Sequence, residues 1–131
     1  RKTISRITMA HILIIDDSPT DVRVFTTLLE KAGHTVSSVG NAEDGIEHVR
    51  SKLPDAVIMD VIMPGMNGFQ ATRTLTRDPK TQHVPVVMIT TKSMETDRVW
   101  GLRQGARDFI TKPISEKDFL SRIDKLLPGA A

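Results

Sequence analysis

Three aspartates stand directly after short apolar runs: Asp16 and Asp17 follow Ile12-Leu13-Ile14-Ile15, and Asp60 follows Val57-Ile58-Met59. Thr90 ends the run that begins at Val84, and a Lys112-Pro113 pair follows the run that ends at Ile110. If these runs are neighbouring strands, three carboxylates, a hydroxyl and an ammonium face one small crevice. Carboxylates about 4 Å apart repel by about 4 kcal/mol per pair at an effective dielectric near 20, so the cluster calls for a counter-charge. All-oxygen ligands favour Mg²⁺ or Mn²⁺ over zinc, and a cation held by two or three carboxylates keeps positions open for water or phosphate oxygens. Lys112 then offers a phosphoryl group a point charge, and Thr90 a hydroxyl donor. Each residue alone has an ordinary explanation: turn or cap for the aspartates, strand propensity for Thr90, a solvated surface for Lys112. Those explanations do not account for their joint placement at four strand ends.

The elements that must position them alternate five times along the chain. The β-like runs are 10–15, 35–39, 56–59, 84–90 and 107–110, and several are continuously apolar, as suits strands covered on both faces. The helices between them have readable ends. Ser18 is the expected N-cap of the first, with Pro19 at its first position and Asp21 closing a Ser-x-x-Asp capping box. Val22, Phe25, Leu29 and Ala32 share its apolar face, and Gly33 ends it. A second starts at Asn41, runs through Ala42, Ile46, Val49 and Leu53, and stops before Pro54. A third begins near Asn67, buries Phe69 and Leu75, and ends before Pro79. The fourth covers 94–104 with Gly105 after it. The last repeats the box as Ser115-x-x-Asp118, buries Phe119, Leu120, Ile123 and Leu127, and ends at Pro128. Strands alternating with helices imply right-handed crossovers and a parallel sheet, with chemistry at the carboxyl ends of the strands.

Composition narrows the field. The 131 residues hold 18 Lys+Arg against 16 Asp+Glu, no Cys, and 39% apolar residues, which is room for one domain. Without cysteine there is neither a disulfide framework nor a thiolate metal site. No apolar stretch is long enough to span a bilayer, and the run 12–15 is too short for a signal peptide, so a cytoplasmic protein without membrane insertion is expected. The net charge of +2 comes from residues 1–8, which carry three positives and no acid; the rest carries 15 basic and 16 acidic residues. A nucleic-acid partner is therefore not expected. Residues 1–8 read as a disordered or cloning-derived leader, with Met9 a natural start, 9–128 as the domain and 129–131 as a tail.

Four segments taken together, Ile12 to Ser18, Val57 to Gly68, Met88 to Thr91 and Gly105 to Pro113, resemble the receiver domain of bacterial two-component response regulators (CheY-like). The resemblance covers 10–127. It implies an α/β, flavodoxin-like, doubly wound five-stranded parallel sheet in the order 2-1-3-4-5, flanked by five helices. It implies that Asp60 is the phosphoacceptor for a sensor histidine kinase or its phosphotransfer domain. Asp17 would ligate Mg²⁺ directly, Asp16 mainly through water, with Asp60 itself and the backbone carbonyl of Ile62 completing the protein's share. Lys112 would pair with the phosphoryl oxygens and Thr90 would swing to hydrogen-bond them. Phe109 stands at the aromatic switch position, though it is equally well an ordinary core phenylalanine. The Lys112–Pro113 peptide is expected to be cis. A receiver of this kind is not an enzyme beyond accepting its phosphoryl group and slowly losing it.

Two positions depart from the motility-receiver pattern: Ile62, two residues after the acceptor, is apolar, and Lys92, two after Thr90, is not an acid. Both flank the path of the hydrolytic water, so slow self-dephosphorylation is expected. With no output module after the fifth helix, output is expected to be a contact with a downstream protein, through the fourth helix, fifth strand and fifth helix. The protein is expected to be a monomer, with dimerisation on activation left open. Trp100 lies one residue off the stripe of Val99 and Leu102, so it is either an interface anchor or boundary packing. The segments 68–73 and 95–101 more closely resemble stand-alone receivers of pilus (twitching-motility) chemosensory systems than flagellar ones. Within the same fold, a phosphate sink for a sister regulator and a phosphorylation-independent scaffold stay open. A Mg²⁺-dependent phosphohydrolase would want Asp-x-Asp where Ser18 stands, and a flavin module would want a phosphate loop where Asp16-Asp17 stand.

Overall fold

Continuous apolar runs flanked by amphipathic stretches have one stable arrangement, a parallel sheet buried on both faces, and the computed structural model, which describes residues 10–127, has it. The strands are β1 His11–Ile15, β2 Thr35–Val39, β3 Ala56–Met59, β4 Val86–Thr90 and β5 Asp108–Thr111. All pairs are parallel, in the order β2-β1-β3-β4-β5. The helices are α1 Pro19–Lys31, α2 Ala42–Lys52, α3 Gly68–Arg77, α4 Glu95–Arg103 and α5 Glu116–Asp124. The expected leader, tail and Pro128 stop lie outside the described residues.

Alternate residues along each strand feed two separate cores. Leu13, Ile15, Val57, Met59 and Met88 pack under α2 and α3, whereas Ile12, Ile14, Ile58, Val87 and Ile89 pack under α1 and α5. Burying a side chain of this size contributes about 1.5–3 kcal/mol, and β1, β3 and β4 make most of these contacts. Phe25 of α1 stacks on Phe119 of α5 with ring centroids 4.9 Å apart, which joins the two helices of that layer. The edge strand β2 has no fully buried residue, in keeping with its Thr-Val-Ser-Ser-Val sequence.

Several helix boundaries differ from the sequence pattern. Ser18 Oγ accepts from the Asp21 N–H at 3.3 Å, but the return bond of a capping box is not made: the Ser18 N–H donates to Asp16 Oδ1 at 2.9 Å. At α5, Asp118 likewise gives only its N–H to Ser115. The reciprocal box forms at α3 instead, between Asn67 and Gln70, both bonds at 2.9 Å. Leu53 is not on the buried face of α2; it takes the left-handed cap conformation (φ 48°) and is exposed. Helix α5 ends at Asp124, so Leu127 reaches the core from the following turn, and Leu120 is only partly buried. On α4 the expected stripe holds only in part: Leu102 is partly buried and packs on the core, but Val99 is exposed, and the fully buried residue is Gly101, against Met88 and Phe109.

Candidate functional site

Strand register brings the carboxylates together. Ile15 of β1 is level with Val39 of β2 and Met59 of β3. The residues just past these tips are tied as well: the Asp16 N–H donates to the Val39 carbonyl at 3.1 Å, and the Asp60 N–H to the Ile15 carbonyl at 3.0 Å. Helix α3 closes in beneath, with the Gly68 N–H donating to the Val61 carbonyl at 2.9 Å. Only glycine fits there, because a Cβ at position 68 would run into the Asp60 carbonyl. Oxygens of Asp16, Asp17 and Asp60 then lie within 4.8 Å of one another. Asp16 and Asp60 are 5% and 8% exposed, while Asp17 is open to solvent at the rim.

Burial and mutual repulsion leave this cluster short of positive charge. Asp60 is pushed up to about 6, by burial first and by the neighbouring Asp16 charge second. Lys112 and the N–H groups of Ile62 and Val61 oppose that shift but do not cancel it; the Val61 N–H donates to Asp60 Oδ1 at 2.8 Å. Burial also raises Asp16, against its hydrogen bond from the Ser18 N–H. Lys112 is held above its ordinary value: burial pulls it down, but Asp21, Asp16 and Asp60 outweigh that. A hard divalent cation fits this set, because the ligands are all oxygen and burial leaves both Asp16 and Asp60 raised, a penalty that a bound positive charge would offset.

The remaining sequence-predicted residues fall around the same edge. Thr90, fully buried at the tip of β4, is level with Thr111 of β5, and its Oγ1 accepts from the Lys92 N–H at 3.3 Å. Lys112 follows β5 directly, and its peptide bond to Pro113 is cis. The Phe109 ring is turned into the core beside Gly101 and Met88. The Ile62 side chain is 56% exposed and lines a shallow groove with Met63, Phe69 and Lys92. Trp100, 48% exposed, stands on the outer side of α4 next to exposed Val99.

One residue of the site was legible only as a cap. Asp21 does not bond back to Ser18; its Oδ2 takes the Lys112 Nζ at 2.6 Å. No sequence spacing announces this contact, since Asp17 lies before the N-cap Ser18 and Lys112 is 91 residues away in the chain.

A doubly wound sheet with these carboxylates, a threonine and a lysine at one strand edge places the chain among the receivers of signalling systems. It belongs to the response regulator receiver domain family, whose pattern matches residues 12–124. The chain is 54% identical over 121 residues to protein PilH of Pseudomonas aeruginosa, spanning 92% of this chain and all of PilH. It is 39% identical over 117 residues to the response regulator PleD of Caulobacter vibrioides, spanning 89% of this chain and 26% of PleD. Among solved structures it resembles Vibrio cholerae chemotaxis protein CheY4, with a TM-score of 0.85 and 25% identity over 92% of this chain and all of that one. The receiver domain of a histidine kinase from Syntrophus aciditrophicus superposes with a TM-score of 0.84 at 36% identity, over 92% of this chain and 91% of that one.

Proposed function

We propose that this protein is a response regulator that accepts a phosphoryl group from a sensor histidine kinase, or from its phosphotransfer domain, on Asp60. The observation that carries the reading is the Asp60 carboxylate itself, buried at the tip of β3 with Asp16 and Asp17 within 4.8 Å and the Lys112 charge acting on it. Asp60 supplies the nucleophilic oxygen: a P–O bond forms as the P–N bond to the donor imidazole breaks, and the imidazole leaves with a proton. Asp16, Asp17, Asp60 and the Ile62 carbonyl would hold Mg²⁺, which neutralises phosphoryl charge when bound. Lys112 and Thr90 serve the phosphoryl oxygens, and movement of Thr90 frees or traps the Phe109 ring.

The added charge and acceptors then favour one of two arrangements of Thr90, Phe109 and α4, and the output is a contact with a downstream protein. Phosphoryl acceptance and its slow loss are the chain's only chemistry in this reading, and its place is the cytoplasm. No helix of the described residues is long and apolar enough to cross a membrane. The likeness to PilH, over that protein's whole length, supports a role in pilus-driven motility.

The test is incubation with acetyl phosphate and Mg²⁺, followed by intact mass and peptide mapping. One phosphoryl group on Asp60 is expected, lost with chelator and absent in Asp60→Ala. An unmodified wild type, or modification that persists in Asp60→Ala, overturns the proposal.

A further inference from the structure

The lysine that the phosphoryl group needs is already engaged elsewhere. Lys112 Nζ lies 2.6 Å from Asp21 Oδ2 and 3.7 Å from Asp16 Oδ2, and among the described residues no ion pair within 4.0 Å joins it to Asp60. The Asp21 side chain is free to do this because Asp16 has taken the Ser18 N–H that a capping box would have assigned to Asp21. The Lys112 and Asp21 side chains are 15% and 34% exposed, so the contact is partly shielded from solvent. A charge-assisted bond of this length is among the stronger polar contacts in proteins.

We propose that Asp21 is a positioning residue that holds the Lys112 ammonium away from the acceptor carboxylate, so that a phosphoryl group on Asp60 must compete with Asp21 for it. The inference rests on the phosphoacceptor reading above and adds a regulatory element to it. Lysine suits such an exchange: its three donors sit on a flexible stem, and the ammonium can pass between anions by rotation. A phosphoryl group brings roughly two negative charges and three strong acceptors, which is enough to draw the ammonium over. Asp21 therefore sets how readily the site takes up a phosphoryl group. Its backbone N–H caps α1 through Ser18 Oγ, and Asp21→Asn keeps that bond, so the substitution removes the charge without removing the cap.

The experiment measures beryllofluoride affinity at saturating Mg²⁺ by fluorine NMR, in wild type, Asp21→Asn, Asp21→Glu, Lys112→Ala and the Asp21→Asn/Lys112→Ala double variant. Asp21→Asn is expected to bind about tenfold tighter than wild type, corresponding to one charge-assisted hydrogen bond no longer lost. Asp21→Glu is expected to return affinity toward wild type, and Asp21→Asn is expected to have no effect once Lys112 is alanine. The Lys112 Nζ NMR signal gives a second readout, and it should move the same way on Asp21→Asn substitution as on beryllofluoride binding to wild type. Equal affinity of wild type and Asp21→Asn overturns the inference and leaves the phosphoacceptor reading standing. An equal gain in the Lys112→Ala background also overturns it, since Asp21 would then act only as a general negative charge. A wild type that binds no beryllofluoride removes the phosphoacceptor reading and this inference together.

Discussion

Asp60 and Asp16 stand side by side because the Asp60 N–H donates to the carbonyl of Ile15, the residue before Asp16, at 3.0 Å. The bond that completes the sheet thus forces two buried carboxylates into one crevice. The cost shows in Asp60, raised from 3.8 to about 6 by burial and by Asp16. A carboxyl raised on folding stabilises the fold fully below the unfolded value and loses that contribution as pH rises through the folded value. Metal-free Asp60→Asn is therefore expected to be more stable than wild type near pH 8. The gain has a ceiling of about 3 kcal/mol, at 1.36 kcal/mol per pKa unit, and is about 1–2 kcal/mol after solvent screening. The advantage should shrink from pH 6 downward and vanish below 3.8, and saturating Mg²⁺ should reduce it at pH 8; urea melts across pH, with and without Mg²⁺, check this.

Ile62 presents an apolar, largely exposed side chain beside Lys92 at the mouth of the site. Lys92 is itself drawn to Asp97 of α4, 3.6 Å away, so neither group is placed to orient an attacking water. Ile62→Asn is expected to shorten the lifetime of the phosphorylated protein by about three- to tenfold, by giving that water a polar partner. Decay of the modified protein, followed by mass spectrometry after donor removal, decides it. Equal lifetimes would mean that Ile62 does not control water access.

Gly101 is where α4 rests on the core. A Cβ there would lie 2.8 Å from both Met88 Sδ and Phe109 Cδ2. Alanine gains about 1 kcal/mol of helix propensity over glycine, but overpacking costs about 1–3 kcal/mol. Gly101→Ala is expected to lose about 1 kcal/mol net and to drive the Phe109 ring from its slot. Chemical denaturation measures the first, and a changed Trp100 emission, one residue away, reports the second.

Arg122 of α5 grips Asp108 at the start of β5 with two hydrogen bonds, Nε to Oδ2 at 2.8 Å and Nη2 to Oδ1 at 2.7 Å. Burial opposes ionisation of Asp108, but Arg122 and the Phe109 N–H hold its carboxyl below the ordinary range. A carboxyl lowered on folding stabilises the fold above its unfolded value and loses that contribution as pH falls through the folded one. Asp108→Asn is expected to cost about 1 kcal/mol at pH 7, with the gap to wild type closing only below 3.8. Thermal melts at pH 7 and pH 3 compare the two.

The periodicity of the chain carried most of the architecture, and the misreadings were local. Ser18-x-x-Asp21 is the pattern of a capping box, yet Asp16, two residues before Ser18, reaches the same N–H, and a lysine 91 positions downstream of Asp21 claims its carboxylate. Asn67 and Gln70 form the reciprocal box instead, because the longer Gln side chain at N3 reaches back to the N-cap N–H. Val99 follows the helical spacing but faces solvent, because α4 is nine residues long and docks through a glycine that has no side chain to register in an apolar pattern.

What the sequence determined by itself was the set of parts and their level in the fold. Continuous apolar runs require a sheet covered on both faces, and parallel strands bring their carboxyl ends to one edge, so Asp16, Asp17, Asp60, Thr90 and Lys112 had to gather there. What only the tertiary structure decided was which charge answers which. Lys112 stands within reach of both Asp16 and Asp21, and its 2.6 Å contact with Asp21 depends on the approach of β5 to the start of α1. The raised carboxyl of Asp60 depends likewise on burial that three separate strands create together. Hydrogen bonds and ion pairs are made between side chains at distances set by packing, and sequence spacing records which groups are present but not those distances.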